Sequence, residues 1–350
     1  IREKIIQTIN KEKHPIPLDQ FIEICLFEKD GYYNQSNILN KFGDFTTAPE
    51  ISQLFGEILG IFIYYTWTKK YGNQFDLIEL GPGNGTLLVD ILTTTKSFKN
   101  FHDNINIKLI EKNKHFIKKQ KQKLKSKNFI NIKTDWFSNI DFTSRKPAII
   151  FANEFFDCFP VRHFKKDNEI WNEKVINFDN KEDRFFYEYI KIKNDNFINK
   201  KLKNITDQIY EISEKRDEYF EKICKYIKKK SGTVIIIDYG YLDFPGYFTL
   251  QALSNNKNSN LFDNLGKQDI TSLVDFKNLI NIAENNNLYV ENFTTQKLFL
   301  VNNGINERKK MILNKSKNDK KNTIKEEYNR ITDEKNMGSV FKVLIISNKN

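Results

Sequence analysis

The chain has 350 residues and a mass of 41.5 kDa, enough for one large or two modest domains with a sizeable core. Hydrophobic residues make up 39% and charged residues 29% of it, which excludes wholesale disorder and collagen-like repeats. The net charge of +11 permits contact with nucleic acid or an acidic membrane. Lysines spread along the whole chain favour a solvated surface instead.

The three cysteines are Cys25, Cys158 and Cys224, and none belongs to a CxxC pair. This pattern argues against a disulfide scaffold and is typical of a reducing compartment. The four histidines show no HExxH arrangement, so no metal site is predicted. Residues 1–18 resemble no signal peptide, and the apolar segment 51–67 is short for a membrane span. We therefore expect a soluble protein of the cytoplasm, or of the mitochondrial matrix in a eukaryote.

Residues 1–71 are predicted to form an N-terminal helical region. Short helices are expected over 1–10 and 18–28, and a longer helix from about residue 50 to residue 71, where apolar residues recur with the helical period. The segment Thr47-Ala48-Pro49-Glu50 is typical of a capping box with proline at a first helical position. Glu50 is therefore interpreted as a helix cap.

After residue 72 the sequence alternates between strand and helix patterns. Strands are predicted over 75–80, 105–110, 129–133 and 148–152. Such alternation predicts a doubly wound α/β fold, a parallel sheet with right-handed crossovers. Because the carboxyl ends of parallel strands meet at one edge of the sheet, the residues that follow each strand are the candidate site.

The alternation is then interrupted. Antiparallel strands are predicted over 161–164, 169–178 and 184–192, followed by a charged helix over 205–230. A buried strand over 233–237 resumes the sheet, which helices near 275–283 and 309–330 and strands over 288–293 and 340–346 complete. We therefore predict a cofactor domain of residues 72–160 and 231–350, with an inserted α+β substrate subdomain at 161–230.

A glycine loop follows the first strand of the cofactor domain, with Gly81, Gly83 and Gly85 in GxGxG spacing. No lysine follows as a P-loop requires, and a dinucleotide loop has GxGxxG spacing. Glu79 lies two residues before Gly81, where a carboxylate repels pyrophosphate and attracts a cation. S-adenosylmethionine, with its sulfonium and ammonium groups, therefore fits better than NAD.

The next two strands are followed by further candidate ligands. Glu111 is placed to accept hydrogen bonds from the ribose hydroxyls of either cofactor, and Asp135 and Trp136 to bind and stack the adenine. The alternative is that Glu79 pairs with one of the many lysines and that Trp136 belongs to the core. Suitable residues at four strand ends favour cofactor binding.

Several segments resemble the signature of the MidA family of class I S-adenosylmethionine-dependent methyltransferases, which have a Rossmann-like fold. They are GDFTTAPEISQLFGE (43–57), ELGPGNGTL (79–87), ANEFFD (152–157), DIT (269–271), VDF (274–276), QKLFL (296–300) and MGSVFK (337–342). The mitochondrial members resemble protein-arginine methyltransferases that act on a subunit of respiratory complex I. Asn256 stands where the family usually has a histidine.

With this resemblance, each candidate residue can be given a role. We expect the loop of Gly43, Asp44 and Phe45 to contact the cofactor. Asn153 would contact the methionine moiety or the target nitrogen, and Glu154 would grip a guanidinium group, since a carboxylate pairs well with its planar fork. Asp157 either assists Glu154 or is the N-terminal acid of a helix.

Three other functions stay open. An RNA methyltransferase would require a contiguous basic face beside the pocket and salt-dependent RNA binding. A non-catalytic assembly chaperone could keep the fold and the cofactor, and an NAD-dependent dehydrogenase is the most distant alternative. The expected partner is a protein substrate; a homodimer is left open, nucleic acid is disfavoured and no membrane span is expected.

Overall fold

The structure is a computed structural model that describes residues 1–35, 47–192, 196–203, 205–254 and 257–348. Two expectations fall outside the described residues: the loop of Gly43, Asp44 and Phe45, and the departure from the family at Asn256. Both therefore stay predictions.

The helices of the described residues, in chain order, are α1 (Arg2–Glu12), α2 (Leu18–Phe27), α3 (Ala48–Ile51), α4 (Gln53–Lys70), α5 (Thr86–Thr94), α6 (Lys99–Asn104), α7 (Lys114–Ser126), α8 (Asn196–Leu202), α9 (Glu214–Lys230), α10 (Phe276–Asn285), α11 (Gln296–Asn302), α12 (Ile305–Lys315), α13 (Asn318–Thr332) and α14 (Met337–Val340). A short 3-10 helix, Tyr32–Asn34, follows α2.

The strands are β1 (Ile16–Pro17), β2 (Phe75–Leu80), β3 (Ile105–Ile110), β4 (Thr134–Phe137), β5 (Ala148–Asn153), β6 (Arg162–Asp167), β7 (Ile170–Asp179), β8 (Arg184–Lys191), β9 (Ile209–Ile212), β10 (Gly232–Tyr241), β11 (Gln251–Ser254), β12 (Lys257–Ser259), β13 (Asp269–Thr271), β14 (Val274–Asp275), β15 (Leu288–Thr295) and β16 (Phe341–Asn348).

The large sheet has the strand order β15-β16-β10-β5-β2-β3-β4. Strands β10, β5, β2, β3 and β4 are parallel, whereas β16 is antiparallel to both of its neighbours. The chain runs outward from β2 through β3 and β4 and then returns to β5 on the other side of β2. Ligands of doubly wound sheets bind outside the carboxyl ends of the strands at such a reversal. The predicted doubly wound α/β fold is confirmed.

The central strands are mostly apolar, as is typical of a parallel sheet that helices cover on both faces. Every residue of β2 is buried, as is every residue of β5 except Asn153. Helices α4 and α5 supply Phe55, Leu59 and Ile91, each 0% exposed, to the same hydrophobic core. The strands whose carboxyl ends form the candidate site are therefore held in a well-packed hydrophobic core.

Two predicted elements of this sheet region are wrong in position. Residues 129–133 form no strand: Asn128 adopts a left-handed conformation with φ of 62°, and pairing with β3 begins only at Thr134, opposite Ile107. The helix expected from residue 50 to 71 is broken at Ser52, which is extended. Its hydroxyl caps α4 by accepting a hydrogen bond from Leu54 N at 3.3 Å.

Two other helix predictions are wrong in extent. The helix expected over 205–230 begins only at Glu214, because Ile209–Ile212 instead forms β9, antiparallel to β6. The side chain of Ile212 packs there against Phe164 in a small hydrophobic cluster. The helix expected over 309–330 is two helices, α12 and α13, separated at Ser316, which has an extended conformation.

The chain forms two compact units, and this division differs from the expected domains. One unit contains Ile1–Phe45, Asp157–Glu218 and Leu242–Asp275, and the other contains Thr46–Phe156, Tyr219–Tyr241 and Phe276–Asn350. The N-terminal helices belong with the inserted strands because β1 pairs with β7, with Ile16 opposite Ile176. Sequence order alone separates these segments by more than a hundred residues.

The unit that contains the N-terminus has its own antiparallel sheet. Its strand order is β1-β7-β6-β9, with β8 paired to β7, so the three antiparallel strands expected for the insertion are present. Across the described residues, no helix is both long and apolar enough to cross a bilayer. In the same residues, no group of three or more His, Cys, Asp or Glu side chains could hold a metal ion.

Candidate functional site

The glycine loop between β2 and α5 has the backbone that only glycine adopts easily. Gly81, Gly83 and Gly85 have φ angles of 62°, 50° and 72°, in the left-handed region that a Cβ atom disfavours. A Cβ atom on Gly81 would also lie 2.7 Å from Cδ2 of Phe155. The spacing GxGxG therefore reflects both the turn and the close approach of another chain segment.

Glu79, in β2 just before this loop, is 3% exposed. Burial, followed by the nearby negative charge of Glu111, raises the pKa of Glu79 to about 8. Its Oε2 atom is buried and has no hydrogen-bond partner among the described residues. Lys123 is near enough to lower the pKa of Glu79, but it forms no ion pair with it. The expected alternative, a lysine partner that neutralises Glu79, is therefore not what the structure contains.

Glu111 follows β3 directly and faces the same edge of the sheet. Its carboxylate accepts hydrogen bonds from the backbone N–H of Asn113 at 2.8 Å and from Nε2 of Gln120 at 3.4 Å. Burial raises the pKa of Glu111. The carboxylate is thus held in place from two sides, as a group that binds a ribose diol would need to be.

Asp135 and Trp136 lie inside β4 rather than after a strand, which corrects the sequence expectation. In the register of the sheet, Asp135 lies opposite Lys108 of β3. Trp136 packs partly buried against the hydrophobic core, and its indole N–H donates to Oε1 of Gln120 at 2.8 Å. Trp136 thus packs on the core, as one interpretation of the sequence expected, and it also lies beside the candidate cofactor site. Its stacking on adenine and the adenine contact of Asp135 stay predictions.

Glu50 does not close a capping box, contrary to expectation. The N-cap residue of α3, Thr47, makes no side-chain capping bond. The Glu50 carboxylate instead accepts hydrogen bonds from the Thr86 hydroxyl, at the start of α5, and from Asn84 Nδ2 of the glycine loop. Lys123 also donates to the Thr86 hydroxyl. Glu50 therefore supports the loop through a tertiary contact that local sequence could not reveal.

The segment after β5 contains the candidate acceptor site. Glu154 has a φ angle of 50°, an uncommon conformation for a residue with a side chain, of the kind that functional sites often retain. Its Oε1 atom accepts hydrogen bonds from Asn153 Nδ2 at 3.0 Å and from Ala48 N at 3.1 Å. The Oδ1 atom of Asn153 is buried and has no hydrogen-bond partner in the described part of the chain.

Asp238 of β10 holds this segment in place through hydrogen bonds to its backbone. It is 0% exposed, and its Oδ2 atom accepts hydrogen bonds from the backbone N–H groups of Phe155 and Phe156 at 3.1 and 2.9 Å. Its Oδ1 atom accepts the N–H of Tyr239 at 3.0 Å. These bonds fix the turn in which Glu154 has its left-handed backbone.

Asp157 is the first residue of the other compact unit. It is 6% exposed, lies in a turn at which no helix begins, and its carbonyl accepts a hydrogen bond from Ser272 N at 2.9 Å. The alternative role as the N-terminal acid of a helix is therefore wrong. A role beside Glu154 stays a prediction.

Sequence reasoning missed Gln120, Asp238 and the tertiary role of Glu50. A signal for Gln120 existed, because it stands midway between Phe116 and Leu124 at intervals of four, on the buried face of α7. A polar residue at a buried helical position requires hydrogen-bond partners. Asp238 follows the apolar run of β10 in the same way that Glu111 follows β3.

A family model for S-adenosyl-L-methionine-dependent methyltransferases matches residues 58–294, about two thirds of the chain. The chain belongs to this family, and the MidA resemblance is confirmed. The protein is accordingly an S-adenosylmethionine-dependent methyltransferase, and S-adenosylmethionine is its cofactor.

Curated relatives match nearly the whole chain. The human "Protein arginine methyltransferase NDUFAF7, mitochondrial" is 28% identical over 357 residues, which are 95% of this chain and 80% of the relative. The Caenorhabditis elegans "Protein arginine methyltransferase NDUFAF7 homolog, mitochondrial" is 26% identical over 356 residues, covering 94% of this chain and 82% of the relative.

A solved structure has the same fold. A crystal structure of a Burkholderia thailandensis protein bound to S-adenosyl-homocysteine superposes with a TM-score of 0.85 and 21% sequence identity, covering 99% of this chain and 91% of that chain. A native crystal structure from the same organism gives a TM-score of 0.83 at 20% identity, with the same shares of the two chains covered.

The site residues of this chain fit the cofactor. The Oε2 atom of Glu79 is buried and has no hydrogen-bond partner among the residues that the structure describes, and burying an unpaired carboxylate is costly unless it is protonated or paired with a cation. The glycine loop allows close approach of a ligand to backbone atoms. We infer that Glu79 and the loop of Gly81, Gly83 and Gly85 hold the methionine part of the cofactor, and that Glu111 holds the ribose.

Proposed function

We propose that the protein transfers the methyl group to a guanidinium nitrogen of an arginine in a protein substrate. The names of the relatives support this acceptor. The observation that carries the proposal is the conformation of Glu154, a carboxylate residue fixed in a left-handed turn at the carboxyl end of β5, on the strand next to the glycine loop.

The cofactor supplies an electrophilic methyl group. When bound, it would allow a C–N bond to form as the C–S bond breaks, with the bonding electrons leaving on sulfur and one proton lost from the acceptor nitrogen. The protein has to align the acceptor nitrogen with the methyl carbon and exclude water, and such positioning can contribute roughly 7–11 kcal/mol. Glu154 would orient the guanidinium by charge-assisted hydrogen bonds.

Asn153 and the phenylalanines complete this arrangement. Asn153 donates to Glu154 Oε1, which orients the carboxylate, and its buried Oδ1 atom is available to accept from an acceptor N–H. Phe155 and Phe156 pack edge to face with ring centroids 5.3 Å apart. Their rings exclude water from the turn and prevent solvent from competing for Glu154.

The test compares the wild type with Glu154→Gln. Calorimetry with S-adenosyl-homocysteine should give the same dissociation constant for both proteins, whereas transfer of labelled methyl groups to a lysate should fall at least a hundredfold in the variant. Hydrolysis of the labelled material should release methylarginines. Glu326→Gln, a change at an exposed glutamate of α13, is the matched control and should retain full activity.

Undiminished transfer by Glu154→Gln would remove this residue from the mechanism. Label recovered in an amino acid other than arginine would contradict the proposed acceptor and leave the methyltransferase assignment in place. Cofactor binding without transfer to any acceptor would favour the assembly chaperone instead.

One observation favours RNA as a second candidate acceptor. Between residues 112 and 134 there are nine lysines and no acidic residue, against a net charge of +11 for the whole chain. Seven of the nine are exposed: Lys112, Lys114, Lys118, Lys121, Lys125, Lys127 and Lys133. They line α7 and its flanks, and Lys123 of the same helix contacts Thr86 beside the glycine loop.

An RNA acceptor would show itself in the same labelling experiment. Nuclease treatment would remove the label and protease treatment would not, and RNA binding would weaken steeply with salt because lysine–phosphate contacts release counterions. Label that is stable to nuclease would exclude this candidate.

The finer predictions concern the substrate, the oligomer and the compartment. We propose a subunit of respiratory complex I, implied by the MidA resemblance, as the first purified acceptor to assay. A homodimer is tested by light scattering of the purified protein. The cytoplasm, or the mitochondrial matrix in a eukaryote, is tested by fractionation of the source cells.

A further inference from the structure

Gln120, in the middle of α7, is 1% exposed although it stands in the most lysine-rich helix of the described residues. Its side-chain amide contacts residues that follow or belong to three different strands. The Nε2 atom donates to the carbonyl oxygen of Gly83 at 2.8 Å and to Oε2 of Glu111 at 3.4 Å. The Oε1 atom accepts the indole N–H of Trp136 at 2.8 Å.

The hydrogen-bond pattern permits one orientation of the amide. Rotating it by half a turn would place Oε1 against the carbonyl of Gly83 and the NH₂ group against the N–H of Trp136, and both contacts would become repulsive. The site therefore needs a side chain that donates on one side and accepts on the other. Asparagine has this chemistry but is one methylene shorter.

The aliphatic part of Gln120 also lies close to the glycine loop, at Gly85. A Cβ atom on Gly85 would lie 3.1 Å from Cγ of Gln120, so the methylene group of Gln120 occupies the space that a side chain at position 85 would need. The amide of Gln120 binds the same loop at Gly83. The loop therefore cannot move away from Gln120 without losing this hydrogen bond.

We propose that Gln120 is the positioning residue of the cofactor site. It fixes the distance between the glycine loop and the Glu111 carboxylate and holds the Trp136 ring in one orientation. Gln120 thereby sets the shape of the part of the site that receives the nucleoside of the cofactor, without itself touching the ligand. This inference concerns the cofactor and does not depend on the methyl acceptor.

The first test is Gln120→Met, which keeps the length of the side chain and removes both of its hydrogen-bonding functions. Leaving a buried donor and acceptor unpaired should weaken binding of S-adenosyl-homocysteine about tenfold to a hundredfold. Methylthioadenosine, which has the nucleoside but no amino-acid part, should lose affinity by the same factor. In turnover, KM for S-adenosylmethionine should rise by that factor, and kcat should change less than threefold.

The second test is Gln120→Glu, which adds a pH readout. The ionised carboxylate can accept from Trp136 but repels the Gly83 carbonyl and the Glu111 carboxylate, whereas the protonated acid can donate as glutamine does. The ratio of the dissociation constants of variant and wild type should therefore fall as the pH is lowered from 8 to 5.5. A purely structural defect would leave this ratio constant.

Gln122→Met, two residues away on the exposed side of α7, is the matched control and should bind both ligands as the wild type does. Wild-type affinity of Gln120→Met for methylthioadenosine would overturn the proposal. A Gln120→Glu ratio that does not change with pH would overturn it as well, and this second readout holds even if Gln120→Met folds poorly.

Discussion

Binding of S-adenosylmethionine should release a proton, because the Glu79 carboxyl is protonated before the cationic ligand arrives. Burial and the charge of Glu111 raise the pKa of Glu79 to about 8. At pH 7 a group with this pKa is about nine-tenths protonated. A sulfonium or ammonium group in contact with the carboxylate stabilises its ionised form, so binding should release about 0.9 protons per cofactor at pH 7.

The same linkage determines how affinity depends on pH. If only the ionised form of Glu79 binds well, the association constant should rise about ninefold from pH 6 to 7, about fivefold from pH 7 to 8, and level off above pH 9. The neutral variant Glu79→Gln should bind more weakly at pH 8 and should lack this dependence. Glu326→Gln, at an exposed glutamate of α13, should behave as the wild type does.

Calorimetry at pH 7 in buffers of different ionisation enthalpy measures the number of protons released. The slope of the observed enthalpy against the buffer enthalpy should be close to one proton for the wild type and should fall sharply for Glu79→Gln. A wild-type slope of zero, or an unchanged slope in Glu79→Gln, would refute the assignment of Glu79 as the carboxylate that meets the positive charge of the cofactor.

Stability of the ligand-free protein supplies an independent check with a definite sign. The pKa of Glu79 is raised in the folded state above the reference value of 4.5, so the folded state retains a proton that the unfolded state has lost. Between about pH 4.5 and pH 8 the free energy of unfolding should therefore fall as the pH rises, by roughly 1.4 kcal/mol per pH unit for this group. Burial also raises the pKa of Asp90, to about 7. Subtracting the unfolding free energy of Glu79→Gln from that of the wild type at each pH therefore separates the contribution of Glu79 from that of Asp90.

Two further changes test the packing and the hydrogen bonds around the site. Gly81→Ala should weaken S-adenosyl-homocysteine binding in calorimetry, because its Cβ atom would lie 2.7 Å from Phe155. Gly72→Ala, with a similar φ of 66° and no atom of the described residues within 4 Å of the added Cβ, should show only the backbone strain, about 1–3 kcal/mol by denaturation. Asp238→Asn should lower kcat about tenfold to a hundredfold and leave the dissociation constant of S-adenosyl-homocysteine within twofold. The new NH₂ group would face backbone N–H groups whose hydrogen bonds to Asp238 hold the Glu154 turn, so those bonds would be lost. Asp319→Asn, at an exposed position of α13, is its control. A loss of S-adenosyl-homocysteine affinity in Asp238→Asn as large as the loss of kcat would contradict the proposal that Asp238 supports the acceptor site and not the cofactor site.

The parallel sheet could be predicted because its strands are buried on both faces. A mostly apolar run such as residues 75–80, interrupted only by Asp76 and Glu79 and followed by a glycine loop, has few alternative structures. The strand expected over 129–133 failed for the opposite reason. Its alternating pattern is short, and the left-handed turn at Asn128 delays pairing with β3 until Thr134.

Local patterns were misleading where a tertiary partner competes for the same side chain. Thr47 to Glu50 reads as a capping box, but the Glu50 carboxylate accepts hydrogen bonds from Thr86 and Asn84 instead. The sequence signal describes what a helix end can do in isolation. The glycine loop and the start of α5, 34 or more residues further along the chain, offer two side-chain donors once the chain is folded.

The sequence by itself determined the class of the fold, the glycine loop and the acids at the ends of β2 and β3, because each depends on burial or backbone conformation within a few residues. Only the tertiary structure decided which side chains hold those groups in place. Gln120 and Asp238 act across strands that are distant in sequence, and the orientation of an amide or the convergence of three N–H groups on one carboxylate has no local pattern. The residues that we propose to meet the ligand could therefore be predicted from the sequence, and the side chains that hold them in place could not.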